Sequence, residues 1–122
     1  MTEDIQVLIV DDQPRARQSL KALLATCAQV GGAREAASGR DAVRLVEESL
    51  PDVILMDARM PEMDGLQATR LIKTRWPQVK IIVLSMYVEY KDEALAAGAD
   101  AFVSKGAPAE KLLTTLAAVT HL

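Results

Sequence analysis

Four short apolar runs, each the length of one strand, with one weak strand candidate between the first two and helix-period patterns following each, constrain this chain more than any other feature. Ile5 to Val10 is the first. It is β-branched and nearly continuous, as a strand buried on both faces must be. Val53 to Met56, Lys80 to Ser85 and Ala101 to Ser104 repeat the pattern, and Arg34 to Ala37 fills the second strand position. Between them lie helical faces. The first carries Leu20, Leu23, Leu24 and Cys27 at steps of three, one and three, opened by Pro14 and broken by Gly31-Gly32. The second follows Ser38 as N-cap and carries Ala42, Val43, Val46 and Leu50, closed by Pro51. The third carries Leu66, Ala68, Leu71 and Ile72 and ends near Trp76-Pro77. A short fourth runs from Glu89 to Ala97, stopped by Gly98, and a fifth opens at Pro108 and bears Leu112, Leu113, Leu116 and Val119. Strand and helix alternate five times. That alternation predicts an α/β fold: a doubly wound five-stranded parallel sheet, right-handed crossovers, and helices on both faces.

At 122 residues the chain fits one domain, taken as 1–122. Aromatic residues are 3% of it, so the core is built from Val, Ile, Leu, Met and Ala. The formal net charge of −3 argues against a basic nucleic-acid surface. Cys27 is the single cysteine, so no internal disulfide forms and a reducing compartment is expected. No apolar run approaches the roughly 20 residues needed to span a bilayer, and the acidic N-terminus lacks the basic start of a signal peptide. A cytoplasmic protein with no membrane partner is the expectation.

Ligands of wound parallel sheets bind beyond the carboxyl ends of the strands. Strand one ends in Asp11-Asp12, strand three in Asp57 and strand four in Ser85, while strand five leads into Lys105. Three carboxylates, a hydroxyl and an ammonium then converge. Two like charges 4 Å apart repel by roughly 4 kcal/mol at an effective dielectric near 20, and a divalent cation removes that penalty. Oxygen-only ligands select Mg²⁺ (or Mn²⁺), which often shares its shell with phosphate. A carboxylate beside such an ion and a lysine is a competent nucleophile for phosphorus. The pattern describes an aspartyl-phosphate site. Plainer readings stand beside it: Asp11-Asp12 as a solvated turn capping helix one, Lys105 as a surface lysine, Ser85 as a strand end, Asp64-Gly65 as turn chemistry, and Cys27 as a buried core residue.

Over its whole length the chain resembles a CheY-like response regulator receiver domain. The matching residues are Val10-Asp11-Asp12, the string Asp57-Ala58-Arg59-Met60-Pro61-Glu62-Met63-Asp64-Gly65, Leu84-Ser85, and Gly98 through Lys105. Leu71-Ile72-Lys73 with Trp76-Pro77, Ser85-Met86-Tyr87 and Lys105-Gly106-Ala107-Pro108 are similar to the NarL/LuxR type. The resemblance implies a flavodoxin-like strand order 2-1-3-4-5. It implies that Asp57 accepts a phosphoryl group from a sensor histidine kinase or a small phosphodonor. Asp12 and Asp57 would ligate Mg²⁺ (or Mn²⁺) by their carboxylates, Arg59 by its backbone carbonyl, and Asp11 through a bound water. Lys105 would pair with the phosphoryl oxygens and Ser85 would hydrogen-bond one of them. Phe102 would turn inward, unless it is plain core packing. Helix four, strand five and helix five would form the face that partners or a second copy read. Arg59 and Tyr87 would tune phosphoryl lifetime. DNA would be contacted only through an output domain outside these residues.

Three departures from the family pattern stand out. Ser85 to Lys105 is shorter than usual, Gly106 replaces a proline (a trans bond is expected there), and Phe102 lacks a hydroxyl. A phosphatase using the same chemistry would need an acid where Arg59 stands. An interaction module indifferent to phosphorylation is the other alternative.

Overall fold

The computed structural model describes residues 4–121. Each apolar run becomes a strand because it has two hydrophobic layers to satisfy. Strands β1 (Ile5–Val10), β2 (Val30–Ala36), β3 (Val53–Asp57), β4 (Lys80–Ser85) and β5 (Ala101–Ser104) form one parallel sheet in the order β2-β1-β3-β4-β5. Alternate side chains point to opposite faces. Leu8, Val10, Ile54, Met56, Ile81 and Val83 meet Ala42, Val46, Ala68, Ile72 and Ala94 on one face. On the other face Val7, Ile9, Val53, Leu55, Ile82 and Leu84 meet Leu24, Leu112 and Leu116.

Those partners come from the crossover helices. Helices α2 (Gly39–Glu48), α3 (Gly65–Arg75) and α4 (Lys91–Ala96) cover the first face; α1 (Pro14–Leu24) and α5 (Ala109–Thr120) cover the second. A 3-10 turn, Val88–Tyr90, leads into α4. Ser38 caps α2 by accepting from the Asp41 amide at 3.0 Å, as its residue type predicts. Asp64 caps α3 in a reciprocal box with Gln67.

Four local expectations are corrected. Helix α1 ends at Leu24 without help from glycine; Thr26 and Cys27 amides donate back to Leu23 and Leu24 carbonyls and tighten the last turn. Gly31 and Gly32 lie inside β2, which starts at Val30 because β1 offers a full ladder from Ile5 to Val10. Pairing overrides glycine's poor strand propensity there. Cys27 therefore lies past the helical face, half-buried, with its thiol donating to Gln29 Oε1 at 3.3 Å. Leu50 leaves the apolar face of α2: the helix stops at Glu48, the residue before Pro51 is pushed out of the helical region, and Leu50 is 46% exposed.

Candidate functional site

Parallel register places the chemistry. Val10 pairs with Met56 across β1 and β3, so the next residues, Asp11 and Asp57, leave the sheet side by side. Asp57 pairs with Leu84, and Ser85 with Ser104, so Ser85 and Lys105 emerge at the same edge. The Lys105 amide donates to the Ser85 carbonyl at 2.9 Å, which fixes the start of the last loop.

Lys105 Nζ stands 3.0 Å from Asp11 Oδ2 and 3.1 Å from Asp57 Oδ1. The Asp11 side chain is 1% exposed, and its Oδ1 accepts from the Gln13 amide at 2.9 Å. Arg17, on α1, donates to the Asp11 carbonyl at 2.7 Å and pairs with Glu35 at 3.0 Å, so the acidic turn is held from behind. One carboxylate oxygen from each of Asp11, Asp12 and Asp57 lies within 4.8 Å of the others. Burial pushes the Asp57 carboxyl above its ordinary value; Lys105 pulls it down, and Asp11 and Asp12 push it up again. Burial works to lower the Lys105 ammonium, but the hydrogen bond to Asp11 and the charges of Asp57 and Asp11 outweigh it, leaving a net upward shift.

Three carboxylates facing one ammonium leave excess negative charge in a half-buried cleft. The donors are hard oxygens only. Such a set fits a small divalent cation of the Mg²⁺ or Mn²⁺ kind. A bound cation there would neutralise negative charge on an incoming oxyanion. Arg59 follows Asp57 by two residues, so its carbonyl belongs to the loop bordering this cluster.

The loop between β3 and α3 is shaped by two unusual residues. Glu62 adopts φ 63°, a conformation costing an L-residue roughly 1–2 kcal/mol. Gly65 sits so close behind β3 that a Cβ there would lie 1.8 Å from the Asp57 carbonyl oxygen. Its amide donates to the Ala58 carbonyl at 3.0 Å. The Asp64-Gly65 pair is therefore cap and close approach, as turn chemistry predicts. Gly65→Ala is expected to cost about 2 kcal/mol, the range for overpacking, and to lower the melting temperature while disturbing Asp57. A melting temperature equal to wild type would show that the loop yields freely.

The remaining candidates are placed less centrally. Ser85 is buried, and its hydroxyl accepts from the Tyr87 amide at 3.0 Å. Phe102 is half-buried, opposite Val83 in register and packed against the core of the α2-α3-α4 face. Tyr87 is 61% exposed, and the Arg59 guanidinium does not engage it. Arg59 Nη1 donates instead to Tyr90 Oη at 2.6 Å. Tyr90 escaped sequence reasoning; the one signal for it was that both tyrosines of the chain fall just after strand four.

Among known proteins, the response regulator receiver domain family matches residues 7–117. The chain is 40% identical over 113 residues to the uncharacterized transcriptional regulatory protein YhcZ of Bacillus subtilis, covering 91% of this chain and 53% of that protein. It is 38% identical over 110 residues to response regulator protein VraR of Staphylococcus aureus, covering 88% and 53%. It spans about half the length of these curated relatives. A LuxR-family two-component response regulator from Aurantimonas sp. superposes with a TM-score of 0.92 at 27% identity, covering 98% of this chain and 86% of that one. Chemotaxis protein CheY4 of Vibrio cholerae superposes at 0.84 with 30% identity, covering 95% and 98%. Among the described residues no helix is long and apolar enough to cross a membrane.

Proposed function

The chain belongs to the response regulator receiver domain family, and on that premise we propose that it is the phosphoacceptor of a two-component system, with Asp57 as the residue that carries the phosphoryl group. The observation that carries this reading is the Asp57 carboxylate held 3.1 Å from Lys105 Nζ, beside Asp11 and Asp12, at the carboxyl edge of the sheet.

Each residue has a role in that reading. An Asp57 oxygen bonds to phosphorus as the bond from phosphorus to the donor's leaving atom breaks. Lys105 exchanges carboxylate partners for a phosphoryl oxygen, to which its ammonium is held by charge. The Ser85 hydroxyl keeps a proton to donate, so it pairs with a second phosphoryl oxygen once it turns from the Tyr87 amide. Asp11, Asp12, Asp57 and the Arg59 carbonyl would hold Mg²⁺ (or Mn²⁺), Asp11 through a water, and the ion would supply positive charge to the phosphoryl oxygens. Phe102 and α4 then shift as a two-state element biased by the new charge. The α4-β5-α5 face is the surface that partners, or a second copy, read.

The donor in this reading is a sensor histidine kinase in the cytoplasm. The receiver unit is residues 1–122, and the output, by analogy with the transcriptional regulators it matches, is control of transcription through a DNA-binding segment beyond the receiver. The chain assists only its own phosphorylation and dephosphorylation and turns over no external substrate. Incubation with an acyl phosphate and Mg²⁺ is expected to add the mass of one phosphoryl group, lost again on mild alkaline hydrolysis. Failure to gain mass from acyl phosphates and from phosphorylated kinases alike would overturn the proposal.

A further inference from the structure

Every polar group of Asp11 has a partner, and one arginine accounts for the last of them. The Asp11 amide donates to the Ala36 carbonyl at 3.1 Å, at the end of β2. Its carboxylate takes the Gln13 amide on one oxygen and Lys105 on the other. Its carbonyl accepts from Arg17 Nη1 at 2.7 Å. The same guanidinium donates through Nε to Glu35 Oε1 at 3.0 Å, and Glu35 is the β2 residue before Ala36. The backbone of Asp11 is thus tied to two successive residues of β2, directly at the amide and through Arg17 at the carbonyl.

That carbonyl matters for the next residue. The Asp11 carbonyl and the Asp12 amide belong to one planar peptide unit, so the direction of one fixes the direction of the other. This peptide joins the two carboxylates that follow β1. Arg17 lies in the first turn of α1, where its own amide donates to the Gln13 carbonyl, and its side chain is only 17% exposed. Neither of its side-chain acceptors is a carboxylate of the cluster, so it acts on the site through the backbone and not by pairing charge. The guanidinium fork suits that task. Its donors keep a set angle and hold two acceptors in a set relation, whereas a lysine is a point charge on a flexible stem. Lys21 stands 3.4 Å from the other Glu35 oxygen, so the brace is itself steadied.

We propose that Arg17, braced by Glu35, is a positioning residue for the cation site: it sets the Asp11-Asp12 peptide so that both carboxylates meet one divalent ion together with Asp57. This rests on the phosphoacceptor reading above, in which those carboxylates hold the ion. One oxygen from each of the three lies within 4.8 Å of the others, a spacing that like charges resist. The Arg17 bridge opposes that resistance by tying the turn to β2. Mg²⁺ demands near-ideal octahedral geometry, so a small displacement of the turn costs affinity. Charge alone predicts the reverse. A guanidinium near a cation site repels the ion, and its removal would tighten binding. The two effects therefore differ in sign.

The test titrates the full chain with Mg²⁺ and reads binding from backbone amide NMR shifts, which also report whether each variant is folded. Arg17→Gln is expected to weaken Mg²⁺ binding about tenfold, the lower end of what loss of a group supporting a metal ligand costs, although it removes a positive charge. Arg17→Lys keeps the charge but not the fork and should fall between Arg17→Gln and wild type. Glu35→Gln leaves Arg17 unbraced and should also weaken binding. Combined with Arg17→Gln it should weaken it no further than Arg17→Gln alone, because the two side chains act as a unit. The Asp12 amide nitrogen, whose shift follows hydrogen bonding at the carbonyl of its own peptide, should move in every variant before Mg²⁺ is added. Binding in Arg17→Gln that is unchanged or tighter would overturn the role of Arg17 and leave the phosphoacceptor reading standing. Should that variant unfold, wild-type affinity in Arg17→Lys and Glu35→Gln would do the same. A wild-type chain that binds no Mg²⁺ would sink both.

Discussion

On the phosphoacceptor reading, Asp57→Asn is expected to gain no phosphoryl mass from an acyl phosphate under conditions that load the wild-type chain. The amide keeps the shape of the carboxyl but offers no anionic oxygen to phosphorus. The same variant is expected to melt at a higher temperature than wild type in chelator at neutral pH. Burial and the neighbouring Asp11 and Asp12 raise the Asp57 carboxyl above its ordinary value of 3.8, although Lys105 opposes them. A group whose folded-state value is raised contributes stability that is complete below its unfolded value and is lost as pH rises through the folded one. At neutral pH the ionised Asp57 therefore opposes folding, and asparagine removes that opposition. The difference should shrink as pH falls towards 3.8 and below. Saturating Mg²⁺ should raise the wild-type melting temperature and move the Asn variant less. A variant that melts below wild type at every pH would mean that the carboxylate is satisfied as it stands, and the case for an ion would lose its physical basis.

The strand ends were legible because a parallel sheet collects its carboxyl edges by topology alone. Asp11, Asp12, Asp57 and Lys105 needed only the strands that precede them, and each of those announced itself by an apolar run, whereas the second strand, Arg34 to Ala37 in the sequence reading, was weakly marked and runs instead from Val30 to Ala36. Local detail was less legible where tertiary pairing outweighed local preference. Gly31 and Gly32 signal a break in isolation, yet β1 recruits both into its ladder. Leu50 matches the spacing of α2, but Pro51 dictates the conformation before it. The rim of the site was least legible. Arg59 and Tyr90 meet across 31 positions of sequence on an exposed surface. No periodicity records such a contact, because neither side chain needs to alternate or repeat in order to make it. Arg17 lay hidden for a different reason. It occupies an ordinary helical position and reaches the Asp11 carbonyl only because α1 packs back along β1 and β2.

Lys105→Met is expected to destabilise the metal-free protein by roughly 3 kcal/mol. The Asp11 side chain is 1% exposed, and beyond the Gln13 amide its one polar side-chain partner is Lys105. Removing one member of a buried ion pair leaves the other charge uncompensated, at a cost of about 3–5 kcal/mol. The lower end applies because the Lys105 side chain keeps 26% of its exposure, so water screens part of the interaction. The same ammonium also separates Asp11 from Asp57, and without it the two carboxylates face each other with nothing between. At about 4 °C per kcal/mol for a domain of this size, the melting temperature should fall by about 12 °C. Asp11→Asn added to Lys105→Met should restore most of that loss, because the amide no longer needs an ammonium. Saturating Mg²⁺ should restore part of it for the single variant, by supplying the missing positive charge. A lysine that merely decorates the surface behaves otherwise: its replacement changes stability by no more than about 0.5 kcal/mol, and Asp11→Asn then adds independently. Thermal melts of the four proteins in chelator separate these cases, since only a lysine that binds the acidic cluster together makes the second substitution reverse the first.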